Sequence, residues 1–257
     1  MDGCRKFKPA AVPALLLILS LVAWISPNRV RADADAWISR AEEQFRAGDK
    51  AGALESFQRA SWERPQDPVL FYNMGVLSES LGRLPEAVDH YASYLRWDRG
   101  APDRETIRRR VFLLSGKLGN QAYQQQDFRQ AQQWYEKAGA LYPESRAVTF
   151  NLGRVYEALG EWQNAKLSYR EYWELCQAGD KEGAARWLAA LLRREAESLF
   201  QGKKFKEALA AFQEARQWAQ ADTALLLRQA QCEEMAQARW RHASATASAP
   251  ACGQRPG

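Results

Sequence analysis

The sequence predicts an all-α fold, a solenoid of stacked helical hairpins, from three columns of residues in a shared register. A small residue recurs at Ala41, Gly75, Gly119, Gly153, Ala196 and Ala230, at spacings of 34, 44, 34, 43 and 34. A second small column, Ala53, Ala87, Ala131, Ala165 and Ala208, follows the first five members at a constant offset of 12. An aromatic column, Phe57, Tyr91, Tyr135, Tyr169 and Phe212, lies four residues further on, one helical turn away. Small residues on two successive helices let their backbones approach closely, and the aromatic fills the space between neighbours.

Composition agrees with a folded chain. The 257 residues are 46% hydrophobic and 11% aromatic, richer in apolar and ring side chains than a disordered chain. The formal charge of +5 comes largely from the N-terminus; beyond residue 32 the chain carries 31 Lys/Arg against 30 Asp/Glu. That balance provides no field for holding phosphate backbones, so nucleic acid is not an expected partner.

The first element is a targeting segment. Arg5, Lys6 and Lys8 precede an apolar run from Ala10 to Ile25, and Val30 and Ala32 place small residues where a signal peptidase reads them. Residues 1–32 are therefore expected to be a signal peptide cleaved after Ala32, with export to a periplasm or cell envelope. An uncleaved anchor is the alternative, although the run falls short of the roughly 20 residues that a spanning helix needs.

The repeats follow. Gly48, Gly82 and Gly160 mark turns between paired helices, and Pro65 and Pro143 end second helices. A fourth column reads Ala60, Tyr94, Ala138, Tyr172 and Ala215, so tyrosine replaces a small residue in the second and fourth units. Insertions of ten and nine residues follow those two units. Asp103 and Asp180 read as starts of long helices running through Tyr123 and Phe200, each about 33 Å at 1.5 Å per residue. A separate short helix before each following hairpin is the other reading. Residues 241–257, rich in Ala and Ser with little to bury, are expected to be a disordered tail.

These columns, with Phe71, Met74, Gly75, Ala87 and Tyr91 in one unit, Leu152, Gly153, Tyr156, Ala165 and Tyr169 in another, and Trp37, Ala53, Phe57, Ala60 and Pro65 in the first, resemble the tetratricopeptide repeat family. The resemblance covers roughly residues 34 to 240. It implies a right-handed superhelix of five repeats near 34–67, 68–101, 112–145, 146–179 and 189–222, with a capping helix at 223–240. It also implies a concave groove that holds a partner protein or peptide, lined by Ile38, Glu42, Phe45, Tyr72, Glu79, Asn120, Tyr123, Phe150, Arg154, Glu157, Arg193 and Glu197. Likeness to envelope proteins of this family, and an Arg-rich, Lys-poor makeup, point to a bacterial source.

The residues carry no constellation for catalysis. The sequence has no phosphate-binding Gly-rich loop followed by Lys-Ser/Thr, no Gly-x-Ser-x-Gly elbow and no His-Glu-x-x-His pair. Only His90 and His242 are present, so a metal site lacks its commonest ligand. No catalytic residue, metal or cofactor is expected, and the reading is a non-catalytic scaffold. Its alternative is a membrane-associated structural component that assists assembly of an outer-membrane or secretion complex. An uncleaved N-terminus, or the basic stretch Arg104–Arg110, would provide the membrane contact. Of the four cysteines, Cys4 leaves with the signal, and Cys232 with Cys252 is one pairing the sequence permits, against free thiols.

Overall fold

The computed structural model describes residues 27–100, 102–218 and 223–247. Among the described residues the secondary structure is entirely helical: α1 (Pro27–Arg46), α2 (Lys50–Glu63), α3 (Pro68–Ser80), α4 (Leu84–Trp97), α5 (Arg104–Gln124), α6 (Phe128–Leu141), α7 (Arg146–Ala158), α8 (Trp162–Leu175), α9 (Lys181–Gln201), α10 (Phe205–Trp218) and α11 (Thr223–Ala247). Most of the expected signal segment, and Cys252, lie outside the described residues. Among the described residues, no helix is long and apolar enough to cross a membrane.

Five hairpins result, α1/α2 through α9/α10, each closed by the same turn. The first helix ends on a residue in the left-handed region, which lets the next amide donate to the carbonyl five residues back. Glycine takes that place at Gly48 (φ 83°), Gly82 (φ 75°) and Gly160 (φ 73°). Gln126 (φ 61°) takes it in the third hairpin and Lys203 (φ 60°) in the fifth, where Gly202 stands one residue earlier with φ −72°. Asp49 and Asp127 then cap the second helices by accepting from the amides of Gly52 and Gln130 at 2.8 and 3.0 Å.

The insertions lengthen first helices and add no separate short ones. Helices α5 and α9 are each 21 residues long and unbroken. The tyrosine before the first insertion serves its junction. Tyr94 is buried, and its hydroxyl donates to Asp103 just before α5; Arg104 donates to the carbonyls of Leu95 and Asp98 at the end of α4. The C-terminus differs from expectation: α11 continues to Ala247 instead of stopping at 240. Alanine is the strongest helix former, and no proline intervenes before Pro250.

Residues through Val111 form one compact unit and those from Phe112 form another. In the first, Ala41, Ala53, Leu54, Phe57, Ala60, Leu70, Met74 and Leu77 build a core between the first and second hairpins. In the second, Ala122, Ala131, Tyr135, Ala138, Val148 and Val155 form one cluster. Tyr169, Leu188, Leu191, Leu192, Ala196, Ala208, Phe212 and Cys232 belong to another. Cys176 and Cys232 are free, buried thiols.

Candidate partner-binding surfaces

In the first unit the expected groove residues lie on α1 and α3. Ile38 is half-buried against the core. Glu42, Phe45 and Arg46 of α1 combine with Phe57 of α2 and with Asn73, Val76 and Leu77 of α3 around an open cleft of about 250 Å³. Phe45 is 52% and Val76 40% exposed, although both are large apolar side chains on a helix. Glu42 pairs loosely with Arg46 at 3.7 Å, which leaves charge of both signs beside an apolar floor.

Two expected groove residues of this unit are already engaged within the chain. Tyr72 lies tilted against Tyr94, with ring centroids 5.7 Å apart, and edge-on to Tyr91 at 6.5 Å. Glu79 accepts from the Tyr91 hydroxyl at 3.2 Å and receives a two-pronged hydrogen bond from Arg110 at 2.6 and 2.8 Å. Burial, with the Glu79 charge beside it, pushes the Tyr91 phenol well above its ordinary range. The basic stretch is therefore broken up: Arg104 caps α4, Arg110 holds Glu79 and Arg108 lies 3.4 Å from Glu105, while Arg96, Arg99 and Arg109 face solvent.

The second unit repeats part of this scheme. Glu157 accepts from the Tyr169 hydroxyl at 3.3 Å and from Arg194 at 2.8 Å. Asn120 accepts from Tyr135 at 2.7 Å. Tyr123 packs edge-on to Phe128 with centroids 5.4 Å apart, and the Arg154 guanidinium lies 4.4 Å from its ring centre. Arg193 and Glu197 are half-buried on α9. Phe150 is central to an aromatic group, with Tyr172 at 5.1 Å, Trp187 at 5.3 Å and Tyr169 at 5.8 Å. Phe150, Tyr172 and Trp187 line an open cleft of about 760 Å³ that Arg146 and Asp180, paired at 2.8 Å, border. Trp187, 45% exposed, was not among the expected site residues, because it stands on an inserted stretch outside the repeat columns.

Among the described residues, no cluster of His, Cys, Asp and Glu is arranged to hold a metal ion. His90 is half-buried, and that burial lowers its pKa; its Nε2 has no hydrogen-bond partner.

The architecture is that of a helical-repeat protein whose first helices expose apolar and charged side chains. Residues 38–104 and 117–175 match the tetratricopeptide repeat family, and the chain is a tetratricopeptide-repeat protein. No curated protein shows significant sequence similarity to it. Solved structures similar to it include MamA of Desulfovibrio magneticus RS-1, at 16% identity and a TM-score of 0.31, covering 74% of this chain and 97% of that one. A thermophilic tetratricopeptide repeat protein of Thermus thermophilus is 22% identical with a TM-score of 0.30, covering 77% and 98%. The N-terminal domain of stress-induced protein-1 from C. elegans is 20% identical with a TM-score of 0.37, covering 49% and 97%. The repeat fold is one of protein-protein interaction.

Proposed function

We propose that the chain is exported to a bacterial periplasm or envelope and serves there as a non-catalytic scaffold, holding a partner protein or peptide on its first-helix faces. The observation that carries this reading is the cleft of the first unit. Phe45 and Val76, on the first helices of successive repeats, expose apolar area that the fold does not use, beside Glu42, Arg46 and Asn73. An extended or helical peptide with an apolar residue between polar ones fits such a floor. The charged n-region, the short apolar run and the small residues at Val30 and Ala32 support export.

The test uses tagged chain, produced in the bacterium and recovered from the envelope, as bait against envelope extract. Phe45→Ser/Val76→Ser serves as the matched control bait. Proteins retained by the natural surface and lost from the control support the reading. Identical retention by both baits, or recovery of the chain only from the cytoplasm, overturns it.

A further inference from the structure

Lysine is scarce in this chain and unevenly placed. Beyond residue 32 there are eight, and three of them, Lys203, Lys204 and Lys206, fall within four positions where the turn after α9 leads into α10. With Arg239 of α11 they border an open cleft of about 430 Å³ in the second unit. All four side chains are exposed. The floor is apolar: Phe205 and Ala236 are half-buried, and the Phe205 ring packs edge-on to Phe200 with centroids 5.3 Å apart.

The positive charge here is not used up within the fold. Glu207 is the one carboxylate among the lining residues, and it lies 3.8 Å from Lys204 with both side chains 62% exposed, a loose pair. The ammonium groups of Lys203 and Lys206 have no carboxylate partner among the described residues. Arg239 donates to the Lys203 carbonyl at 2.6 Å, which holds its guanidinium at the turn. Four cations against one carboxylate thus meet over one cleft, in a chain that is nearly balanced beyond residue 32. Lys203 also holds the left-handed position (φ 60°) that glycine takes in three other hairpins, while Gly202 beside it has φ −72°. The turn favours glycine at 203, so the backbone gives no reason for a lysine there.

We propose that this cleft docks an acidic segment of a partner protein. Carboxylates on either side of an apolar residue meet the lysines and Arg239, and the apolar side chain rests on Phe205 and Ala236. Charge complementarity selects the acids, and a concave apolar floor selects a protruding side chain over the flat anionic face of a bilayer. The cleft lies on a hairpin turn and the last helix, apart from the first-helix cleft of the first unit, and neither proposal depends on the other.

The probe is a labelled peptide, Glu-Glu-Leu-Glu-Glu, titrated with the full chain and followed by fluorescence anisotropy at low and high salt. Its comparisons are the peptides Gln-Gln-Leu-Gln-Gln and Glu-Glu-Ser-Glu-Glu, the chain with Lys203→Gly/Lys206→Gln, and the chain with Arg96→Ala/Arg99→Ala/Arg109→Ala. Glycine suits the backbone at 203 and Lys206 is exposed, so the lysine variant keeps its fold, which circular dichroism checks. The expected result is saturable binding at low salt that falls as salt rises. It should weaken at least about fivefold with the glutamine peptide or the lysine variant, as for loss of two exposed ion pairs, and weaken also with the serine peptide. The arginine variant, which loses charge in the first unit, should bind as the natural chain does. No binding to the natural chain, undiminished binding to the lysine variant, an equal loss in the arginine variant, or a serine peptide bound as well as the leucine one overturns the proposal. Sedimentation with phosphatidylglycerol vesicles supplies the other arm: vesicle binding that the lysine variant loses and the peptide does not displace would assign the cleft to a bilayer and also overturn it.

Discussion

The ring of Tyr169 lies directly against Gly153. A Cβ built at residue 153 would stand 2.8 Å from the ring's Cε1 and 2.9 Å from Cδ1, closer than such atoms approach in real proteins. The same contact joins Gly75 to Tyr91 at 2.5 Å and Gly119 to Tyr135 at 2.7 Å. Each ring is held from its far end as well, because the hydroxyls of Tyr91, Tyr169 and Tyr135 donate to Glu79, Glu157 and Asn120. A ring fixed at both ends cannot step aside. Gly153→Leu is therefore expected to destabilise the second unit by roughly 3 kcal/mol or more, at or above the top of the usual overpacking range. Gly153→Ala should cost less, and urea unfolding followed by circular dichroism reads both. Unfolding midpoints equal to that of the natural chain would refute the contact.

The repeat register was legible in the sequence because a close helix contact tolerates few residue types. The small and aromatic columns name the contacts at Gly75, Gly119 and Gly153. The roles of the fourth residue after each small position were harder to read. Phe45, Tyr123 and Phe200 look equivalent in sequence, yet Tyr123 and Phe200 pack edge-on to Phe128 and Phe205, whereas Phe45 stands exposed. The difference lies five residues on, where the first hairpin has Lys50 in place of phenylalanine. Glu79 and Glu157 were illegible as internal acceptors, since Arg110 and Arg194 reach them from the lengthened first helices α5 and α9, 31 and 37 residues away. Periodicity carries no record of such pairs.

The left-handed positions of the third and fifth hairpins hold Gln126 and Lys203 in place of the glycine that the other three hairpins use there. A side chain in the left-handed region costs roughly 1 to 2 kcal/mol, and glycine's greater freedom in the unfolded chain takes back part of any gain. Gln126→Gly and Lys203→Gly should each raise stability, by up to about 1 kcal/mol. Differential scanning calorimetry checks the sign. A lowered melting temperature in both variants would show that their side chains make compensating contacts.

Lys166 of α8 and Glu195 of α9 form an ion pair at 3.2 Å whose side chains are only 12% and 10% exposed. Removing one partner strands the other charge. Lys166→Met should destabilise the second unit by about 3 kcal/mol, whereas Lys166→Met with Glu195→Leu should recover most of that loss, because an apolar pair leaves no charge to solvate. A double variant no more stable than the single one would contradict this in a chemical-denaturation experiment.

Alkaline pH should weaken the fold through its tyrosines. Burial pushes Tyr135 up to about 12; burial and a hydrogen bond to Glu136 do the same for Tyr156, and burial and Asp103 for Tyr94. The unfolded chain ionises its tyrosines near 10. Below that pH both states keep their protons and stability is at its full value. From about pH 10 to about 12 the unfolded state loses protons that the folded state retains, so stability falls as pH rises. Urea midpoints at pH 8 and pH 11, with phenolate absorbance followed in parallel, test the sign. Equal midpoints, or tyrosines that all titrate near 10 in folded protein, would refute it.

Surface substitutions separate the apolar cleft from the arginine stretch as the surface that captures a partner. Replacing Arg110 would confuse the comparison, because it is bonded to Glu79 and its loss would disturb Tyr91. Arg96, Arg99 and Arg109 are exposed and suit the purpose, as do Phe45 and Val76 on the cleft side. Substitutions at such exposed positions generally change stability by no more than about 0.5 kcal/mol, so lost capture would report the surface and not the fold. Phe45→Ser/Val76→Ser should abolish capture, since a buried interface aromatic is commonly worth more than about 1 kcal/mol when truncated. Arg96→Ala/Arg99→Ala/Arg109→Ala should leave capture nearly intact, with little change between low and high salt, because exposed charges that do not carry binding have nothing for salt to screen. If the arginine variant loses capture, binding falls steeply with salt and the cleft variant retains it, the partner sits on the basic ledge and the first-helix reading is wrong.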